Sequence, residues 1–371
     1  MTDRDTGGAV LIVGLGLVGT FTAILLSQQG YQVRCIERRS FSETLSMPGL
    51  EEKVLSISQP VYGRILHQQA RPNKVEVSDL QKIFFDVLRC SQPKLWTEIQ
   101  FNCSFFRFSG HCAILTSSSL QIRYSLLIAC DGHHSSVRTA LGIPVHRVCT
   151  GMRYREIHIM EKGPILSSRY LHFWPNAKEK YLLMAFVHDE AQLEREKEAQ
   201  HGLQGISLTL FHENADPSSI PHELQKQSDS QLLETVLAKQ VYSVEQNVIL
   251  VGDAAHTMLP FYGQGLNAGL EDVRLLSLLP CWTNEHFQEY STKRVSDSKA
   301  ICEMARNHGS RVLMAQPSSL LSSLEYYLVS FHPEYSYSGI RTFILSLQAT
   351  LIINILVLIF GIIIYYAKFM S

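Results

Sequence analysis

The chain opens with a short apolar run, Ala9 to Val13, that leads directly into a glycine-rich turn. A continuous apolar run of this length is typical of a strand buried in a parallel sheet. Residues Thr20 to Gln29 then predict a helix, and residues Tyr31 to Ile36 predict a second strand that ends at Glu37. The pattern therefore predicts a strand–helix–strand unit at the start of the chain.

A second apolar strand ends in a turn that pairs aspartate with glycine. The stretch SLLIACDGHHSSVRTALG places Asp131 and Gly132 directly after the strand. A helix is expected to open at Ser135 or Ser136, because serine is a favoured helix N-cap.

A third apolar strand, Val248 to Val251, ends in the same way at Gly252 and Asp253. A loop then runs through Pro260, and the segment GQGLNAGLED predicts a helix that begins near Gly265. The chain therefore has three strand ends that each carry glycine and an acidic residue, and they lie far apart in sequence.

Between the second and third of these strands, the pattern changes to alternating polar and apolar positions. The segments after Gly151 predict antiparallel strands of a second sheet packed over the first. Phe173 and Trp174 are expected to pack in its core, with an aromatic pocket as the alternative. The charged run from Asp189 to His201 is interpreted as a solvated connection or a surface helix. The alternating segments are YREIHIM, RYLHFWP, KYLLMAFVH and ISLTLFH.

Towards the end of the chain, Glu285 to Arg311 predicts a helix, and Phe343 to Tyr366 is an uncharged apolar segment. A helix of about twenty such residues crosses a hydrocarbon layer of about 30 Å. A buried core helix is the alternative, but such a helix normally shows a polar stripe. We therefore expect a membrane anchor over 343–367, inserted as a tail, with the rest of the chain on the cytosolic side.

Composition narrows the classes of protein. The chain has 371 residues, 46% of them hydrophobic and 18% charged, which fits one large or two medium globular domains. A formal net charge of -1 gives no basic surface for nucleic acid, so no nucleic-acid partner is expected. The eight cysteines show no metal-ligand spacing, so we expect free thiols and no zinc.

The first glycine turn reads GLGLVG and has the spacing of a dinucleotide-binding loop. Gly14 allows the tight turn, Gly16 lets the backbone approach a pyrophosphate, and Gly19 allows close packing of helix on strand. Glu37 lies where a carboxylate accepts hydrogen bonds from a ribose. This unit alone fits NAD and FAD equally.

The later glycine and aspartate turn favours FAD, because FAD is the longer cofactor and needs contacts at a second place. Asp253 is suited to a ribityl hydroxyl, and the helix near Gly265 directs its positive end towards the flavin. His133, His134 and His256 are interpreted as loop histidines without a direct role. The candidate cofactor-binding residues are Gly14, Leu15, Gly16, Gly19, Glu37, Arg38, Asp131, Gly132, Gly252, Asp253, Pro260, Gly263, Gly265, Leu266 and Asn267.

Taken together, the three turns resemble those of the FAD-dependent aromatic hydroxylases. The resemblance is carried by GLGLVG, LIACDGHHSSVR, LHFWPN, VGDAAHTMLPFYGQGLNAGLEDV and the apolar tail. It implies an α/β fold, with a Rossmann-like FAD-binding domain, an antiparallel-sheet substrate domain and a C-terminal transmembrane helix. The corresponding limits are 1–150 and 246–335 for the FAD-binding portions, 151–245 for the substrate domain and 343–367 for the tail.

The resemblance also implies a chemistry. NADPH reduces FAD, O2 is the oxidant, and a small aromatic amino acid is hydroxylated. No catalytic side chain is expected, because the cofactor carries out the reaction. Arg64 in VYGRILH is the predicted substrate-binding residue, since a guanidinium pairs well with a carboxylate. For the tail, the resemblance implies the mitochondrial outer membrane, with the endoplasmic reticulum as the alternative.

The chain departs from the family at several points. The stretch after Arg39 is short, Val77 replaces an arginine, and two residues expected beside the substrate, a tyrosine and an asparagine, have no counterpart. Three alternatives therefore stay open. One is a flavin-binding or flavin-free homologue with a binding or regulatory role, and another is a ring hydroxylase of quinones. The third, an NAD-linked dehydrogenase, is disfavoured by Gly252 and Asp253.

Overall fold

The computed structural model describes residues 9–45, 54–55, 75–76, 84–87, 98–116, 121–162, 172–178, 180–187, 203–213 and 231–369. The predicted substrate residue Arg64, the substituted position Val77 and the charged run from Asp189 to His201 lie outside the described residues.

A six-stranded sheet forms the centre of the dinucleotide-binding part, and its strand order is β15–β16–β9–β1–β2–β5, with strands numbered in chain order. All neighbours are parallel except β15 and β16, which are antiparallel. This confirms the predicted strand–helix–strand unit. The strands are β1 (Val10–Val13), β2 (Val33–Ile36), β5 (Ile99–Gln100), β9 (Leu126–Ala129), β15 (Tyr242–Ser243) and β16 (Val248–Leu250).

The second six-stranded sheet is antiparallel, as the alternating pattern predicts, and its order is β11–β12–β13–β10–β14–β17. Its first strand begins at Val145, before the limit at 150, and its last strand belongs to the loop after Gly252, so strands of this sheet cross the proposed domain limits. The strands are β10 (Val145–Lys162), β11 (His172–Asn176), β12 (Tyr181–Val187), β13 (Leu203–His212), β14 (Gln231–Ala238) and β17 (His256–Thr257).

The expectation that Phe173 and Trp174 pack in the core is wrong. Their side chains are 46% and 42% exposed, and the Trp174 ring stacks on His172. Both residues lie on β11, which is an edge strand and pairs only with β12 among the described residues. Consecutive strand residues point to opposite faces of the sheet, and β11 has a neighbouring strand on one side only among the described residues, so both side chains are poorly covered.

Two smaller sheets contain the other strands of the described residues. One pairs β3 (Val54–Leu55) with β4 (Val75–Glu76), and the other joins β6 (Phe105–Ser109), β7 (Cys112–Leu115) and β8 (Gln121–Arg123).

The first helix packs on the first two strands of the central sheet, and the later helices form the C-terminal part of the chain. The long helix predicted from Glu285 is confirmed and begins one residue earlier, where Thr283 caps it by accepting from the His286 N–H. The helices are α1 (Leu17–Gln28), α2 (Phe41–Leu45), α3 (Ser136–Ala140), α4 (Gly265–Ser277), α5 (Asn284–Leu313), α6 (Leu320–Phe331) and α7 (Tyr337–Phe369).

Helix α7 has two different parts. At its start, Ile340 and Ile344 are buried in a cluster with residues of α4, α5 and α6. Between Leu351 and Ile364, the large apolar side chains that the structure describes are exposed. Within the part of the chain that the structure describes, Tyr337–Ile364 is the one helix long and apolar enough to cross a membrane, with a mean hydropathy of 2.6.

Candidate functional site

The ends of four parallel strands meet at one edge of the central sheet. Val13 lies opposite both Ile36 and Ala129, and Ala129 lies opposite Leu250. Each strand is followed at once or within two residues by a predicted site residue. Parallel strands present their carboxyl ends at the same edge, and in open α/β sheets this edge is where ligands bind. The register thus brings together three motifs that are distant in sequence.

The first glycine turn is packed so closely that two of its positions accept only glycine. Gly14 has φ +93°, and a Cβ at this residue would lie 2.6 Å from the Cys130 carbonyl oxygen. A Cβ on Gly19 would lie 1.9 Å from the Gly14 carbonyl oxygen. Helix α1 is therefore held against both β1 and β9.

Gly16 differs from these two glycines, because a Cβ there would meet no heavy atom within 4 Å among the described residues. Gly16 is the N-cap of α1, and since glycine has no side chain, it provides no hydrogen-bond acceptor for the first amides of the helix. The first amides of a helix have no intrahelical acceptor, and the helix dipole adds a partial positive charge. The open space beside Gly16 is therefore suited to a phosphate group.

Glu37 is only 3% exposed and lies at the end of β2. Its Oε2 accepts from the Leu15 N–H at 2.7 Å, and its Oε1 accepts from the Arg39 N–H and Nε, both at 3.0 Å. Burial opposes ionisation, but the hydrogen bonds from Arg39 and Leu15 outweigh it and lower the pKa of this carboxyl. Three donors leave a carboxylate one further acceptor position, which suits a ribose hydroxyl. Arg38 is exposed beside it.

Asp131 follows β9, and only one of its two carboxylate oxygens accepts hydrogen bonds from the described residues. Its Oδ2 accepts from the Ser136 hydroxyl and the Val137 N–H, both at 3.1 Å. Its Oδ1 is buried and has no hydrogen-bond partner among the described residues. Such an acceptor is costly unless a donor reaches it, so this oxygen is suited to a hydroxyl of a bound ligand. The adjoining Gly132 has φ +80° and opens onto free space in the described structure.

Gly252 starts the third turn, which packs directly on the first. A Cβ on Gly252 would lie 3.3 Å from Val18 of α1, and one on Gly269 of α4 would lie 2.7 Å from the same side chain. Asp253 is exposed, and its carbonyl oxygen accepts from the Thr257 hydroxyl at 3.1 Å. Val18 belongs to the first glycine turn, so the first and third turns are in direct contact although they are distant in sequence.

The loop after Asp253 leads to the N-terminus of α4. Pro260 begins a 3₁₀ turn, Gly263 has φ +64°, and the helix starts at Gly265 as predicted. Leu266 is half-buried, whereas Asn267 is buried and its Nδ2 donates to Gln264 Oε1 at 3.1 Å.

Two side chains hold the central turn in place, and the sequence indicated this role for neither of them. Arg138 is 3% exposed and donates to the carbonyl oxygens of Ala254 and His133, each at 2.7 Å. His133 lies between the two sheets, with Nδ1 2.9 Å from Thr257 Oγ1 and Nε2 2.8 Å from Glu234 Oε1. His133 thus connects the central turn to the second sheet.

A buried ionic cluster under the third turn was also missed. Asp272 Oδ2 accepts from the Gly252 N–H at 2.8 Å, and the same oxygen lies 2.6 Å from His256 Nε2. Its other oxygen accepts from Arg294. Burial would raise the pKa of Asp272, but the charges of His256 and Arg294 outweigh it and lower the pKa. His256 is 1% exposed, so it is a structural partner of Asp272 and not a surface base.

These features fit an extended dinucleotide cofactor. The open space at Gly16 suits the pyrophosphate, and Glu37 and the unsatisfied Asp131 Oδ1 suit hydroxyl groups. The turn at Gly252 and the start of α4 add a second contact region to this surface, which the longer FAD needs.

Comparison with known proteins agrees with this geometry. The family described as FAD binding domain matches residues 115–305, which is more than half of the chain. The match includes the Asp131 turn, the second sheet, the Gly252 turn and most of α5.

Two curated relatives and one solved structure illustrate the similarity. Kynurenine 3-monooxygenase from Dictyostelium discoideum is 28% identical over 362 residues, covering 80% of this chain and 78% of its own. The Drosophila willistoni enzyme of that name is 27% identical over 361 residues, covering 81% and 78%. The p-nitrophenol 4-monooxygenase of Pseudomonas putida has a TM-score of 0.59 at 16% identity, covering 92% of this chain and 97% of its own. The structural match supports the fold.

Proposed function

The chain belongs to the FAD-binding domain family, and we propose that this FAD-dependent monooxygenase uses NADPH and O2 to convert L-kynurenine to 3-hydroxykynurenine. One oxygen atom of O2 enters the aromatic ring, the other leaves as water, and NADPH supplies the two electrons. The convergence of the Gly14, Asp131 and Gly252 turns on one sheet edge is the observation that carries the proposal.

The residues of the chain have a binding role in this reaction. The amides at the start of α1 and the space at Gly16 would hold the pyrophosphate, and Glu37 and Asp131 would hold hydroxyl groups of the cofactor. Asp253 and the N-terminus of α4 would hold the flavin half. When bound, FAD supplies the redox chemistry and the activation of oxygen. The chain contributes orientation and exclusion of water around the reacting ring.

The choice of substrate is supported by the curated relatives, several of which are named kynurenine 3-monooxygenase. We assign Arg64 to the carboxylate of the amino acid, because a guanidinium forms two parallel hydrogen bonds with that group. This assignment rests on the sequence motif VYGRILH.

We also propose that the exposed part of α7 anchors the enzyme in a membrane, with the catalytic part on the cytosolic side. The support is a helix whose described apolar side chains between Leu351 and Ile364 are exposed and which reaches a mean hydropathy of 2.6. Water is an unfavourable environment for such a surface. The mitochondrial outer membrane is the proposed location.

The reaction is tested with full-length protein purified in detergent, supplied with FAD, NADPH, L-kynurenine and ¹⁸O2. We expect 3-hydroxykynurenine that carries one ¹⁸O atom, and Arg64→Ala is expected to raise KM more than it lowers kcat. Flavin binding with NADPH oxidation but only hydrogen peroxide as product would show an impaired homologue. Turnover of a quinone precursor, and not of kynurenine, would reassign the substrate.

A further inference from the structure

A chain of buried hydrogen bonds runs from the third turn to the start of the C-terminal helix. Arg294 of α5 lies at its centre and is 2% exposed. On one side it donates to Asp272 Oδ1 through Nε at 2.8 Å, and Asp272 Oδ2 accepts from the Gly252 N–H at 2.8 Å. The backbone of the flavin-side turn is therefore connected to the Arg294 guanidinium by two hydrogen bonds through one residue, Asp272.

On the other side, the chain of bonds continues to α7. Arg294 Nη1 donates to Asp297 Oδ2 at 3.2 Å. Asp297 Oδ1 accepts from the N–H and the hydroxyl of Ser338, at 3.0 Å and 2.5 Å. We call residues 337–344 the root of α7.

Apolar contacts follow the same path as the hydrogen bonds. Ile340 and Ile344 of the root are buried in one cluster with Met258 of the loop after Asp253 and Ala268 of α4. The root therefore lies in the same apolar cluster as two flavin-side residues, in addition to its connection through Asp297.

The cleft beside Arg294 and Asp297 is too small to be a substrate site. It is lined by Asn267 and Tyr337 among others and has a volume of about 40 Å³. Pockets for small organic ligands are typically about 300–1,000 Å³. The charged residues here therefore have a structural role. The buried Arg294 guanidinium pairs with the carboxylates of Asp272 and Asp297, and these ion pairs hold the three side chains in fixed positions.

We propose that Arg294 and Asp297 are positioning residues that connect the root of α7 to the turn Gly252–Ala254. FAD binding then depends on how the root is docked, and it does not depend on the exposed remainder of the helix. The inference rests on the proposed function for its cofactor, whereas the connection itself is a property of the chain. Coupling of this kind travels through contiguous packed and hydrogen-bonded groups.

The test compares full-length variants in detergent. Ser338→Ala removes a hydroxyl donor to Asp297, and Asp297→Asn removes the charge beside Arg294. Ser338→Thr is the conservative variant, because threonine keeps a hydroxyl at this position. Glu303→Gln is the matched control, because it breaks a different contact between α5 and α7, the partly exposed ion pair of Glu303 with Arg341. Amide hydrogen exchange of residues 252–257 is measured without FAD, and the FAD dissociation constant is measured separately.

We expect Ser338→Ala and Asp297→Asn to speed exchange at residues 252–257 and to raise the FAD dissociation constant, each by roughly tenfold, the scale of one buried hydrogen bond to a charged group. Ser338→Thr and Glu303→Gln should stay within about twofold of the wild type. A double variant of Ser338 and Asp297 should be less than additive.

Two results would overturn the connection. One is exchange that rises equally across β1 and α1, which indicates general destabilisation. The other is a control as severe as the network variants. Failure of the wild type to bind FAD would instead refute the proposed function, and the exchange data would still decide whether the root is connected to the turn.

Discussion

Gly16 and Gly19 lie in the same glycine turn but have different surroundings, so substituting each by alanine separates folding from cofactor binding. A Cβ on Gly19 would lie 1.9 Å from the Gly14 carbonyl oxygen and 3.1 Å from Cys130 Cβ. On Gly16 it would meet no described atom within 4 Å. Gly16 has φ −67° and ψ −174°, which alanine adopts without strain.

The contact at Gly19 involves backbone, which does not move aside easily. Overpacking of this kind costs about 1–3 kcal/mol or more, so Gly19→Ala should lower the melting temperature of the protein without FAD. At Gly16, loss of a favoured N-cap residue costs a few tenths of a kcal/mol to about 1 kcal/mol, and reduced entropy of the unfolded chain offsets a similar amount. Gly16→Ala should therefore leave that melting temperature nearly unchanged.

Gly16→Ala should weaken FAD binding, although it leaves the melting temperature nearly unchanged. A methyl group in the open space blocks the approach of a pyrophosphate to the α1 amides, and we expect FAD affinity to fall by about tenfold or more, equivalent to about 1.4 kcal/mol. The assay is FAD titration by fluorescence, next to thermal unfolding of the same FAD-free samples. A Gly16→Ala protein that binds FAD like the wild type would refute the placement of the cofactor at this turn.

Three further predictions concern other parts of the chain. Asp253 is exposed, so Asp253→Ala should weaken FAD binding by roughly 1–3 kcal/mol while the melting temperature without FAD is unchanged; a lower melting temperature would indicate a structural role instead. The folded state lowers the pKa of Glu37 below 4.5, so its stabilisation is present above that pH and is lost as pH falls. The difference in melting temperature between wild type and Glu37→Gln should therefore shrink between pH 7 and pH 3, and a constant difference would contradict this. Deletion of residues 351–371 keeps the buried Ile340 and Ile344, and should move the protein to the soluble fraction in carbonate extraction; continued pelleting with membranes would argue against the anchor.

Sequence alone was sufficient for the elements of the site that depend on local pattern. The GLGLVG turn, the strand that ends at Glu37 and the helix at Gly265 each follow from residues adjacent in the chain, and the structure has them. The convergence of Asp131 and Gly252 on the first turn also follows, because parallel strands share one edge.

The remaining contacts are set by pairs far apart in sequence, which leave no periodic signal. Asp272 and Arg294 lie on different helices, and only packing of α5 on α4 makes them a buried pair. His133 follows a strand of the central sheet and contacts Glu234 of the second sheet, which is again a pair distant in sequence. Exposure of Phe173 and Trp174 could not be read from alternation either, because alternation indicates a strand without showing whether it lies at an edge.

The central claim is that this chain holds FAD where its three glycine turns meet, and the visible absorption spectrum of the purified protein tests it most directly. Full-length protein is purified in detergent, incubated with FAD and freed of unbound cofactor by gel filtration. We predict the two flavin bands at about one FAD per chain, and their loss in Gly16→Ala while the FAD-free fold is retained. A wild-type spectrum without flavin absorbance would contradict it.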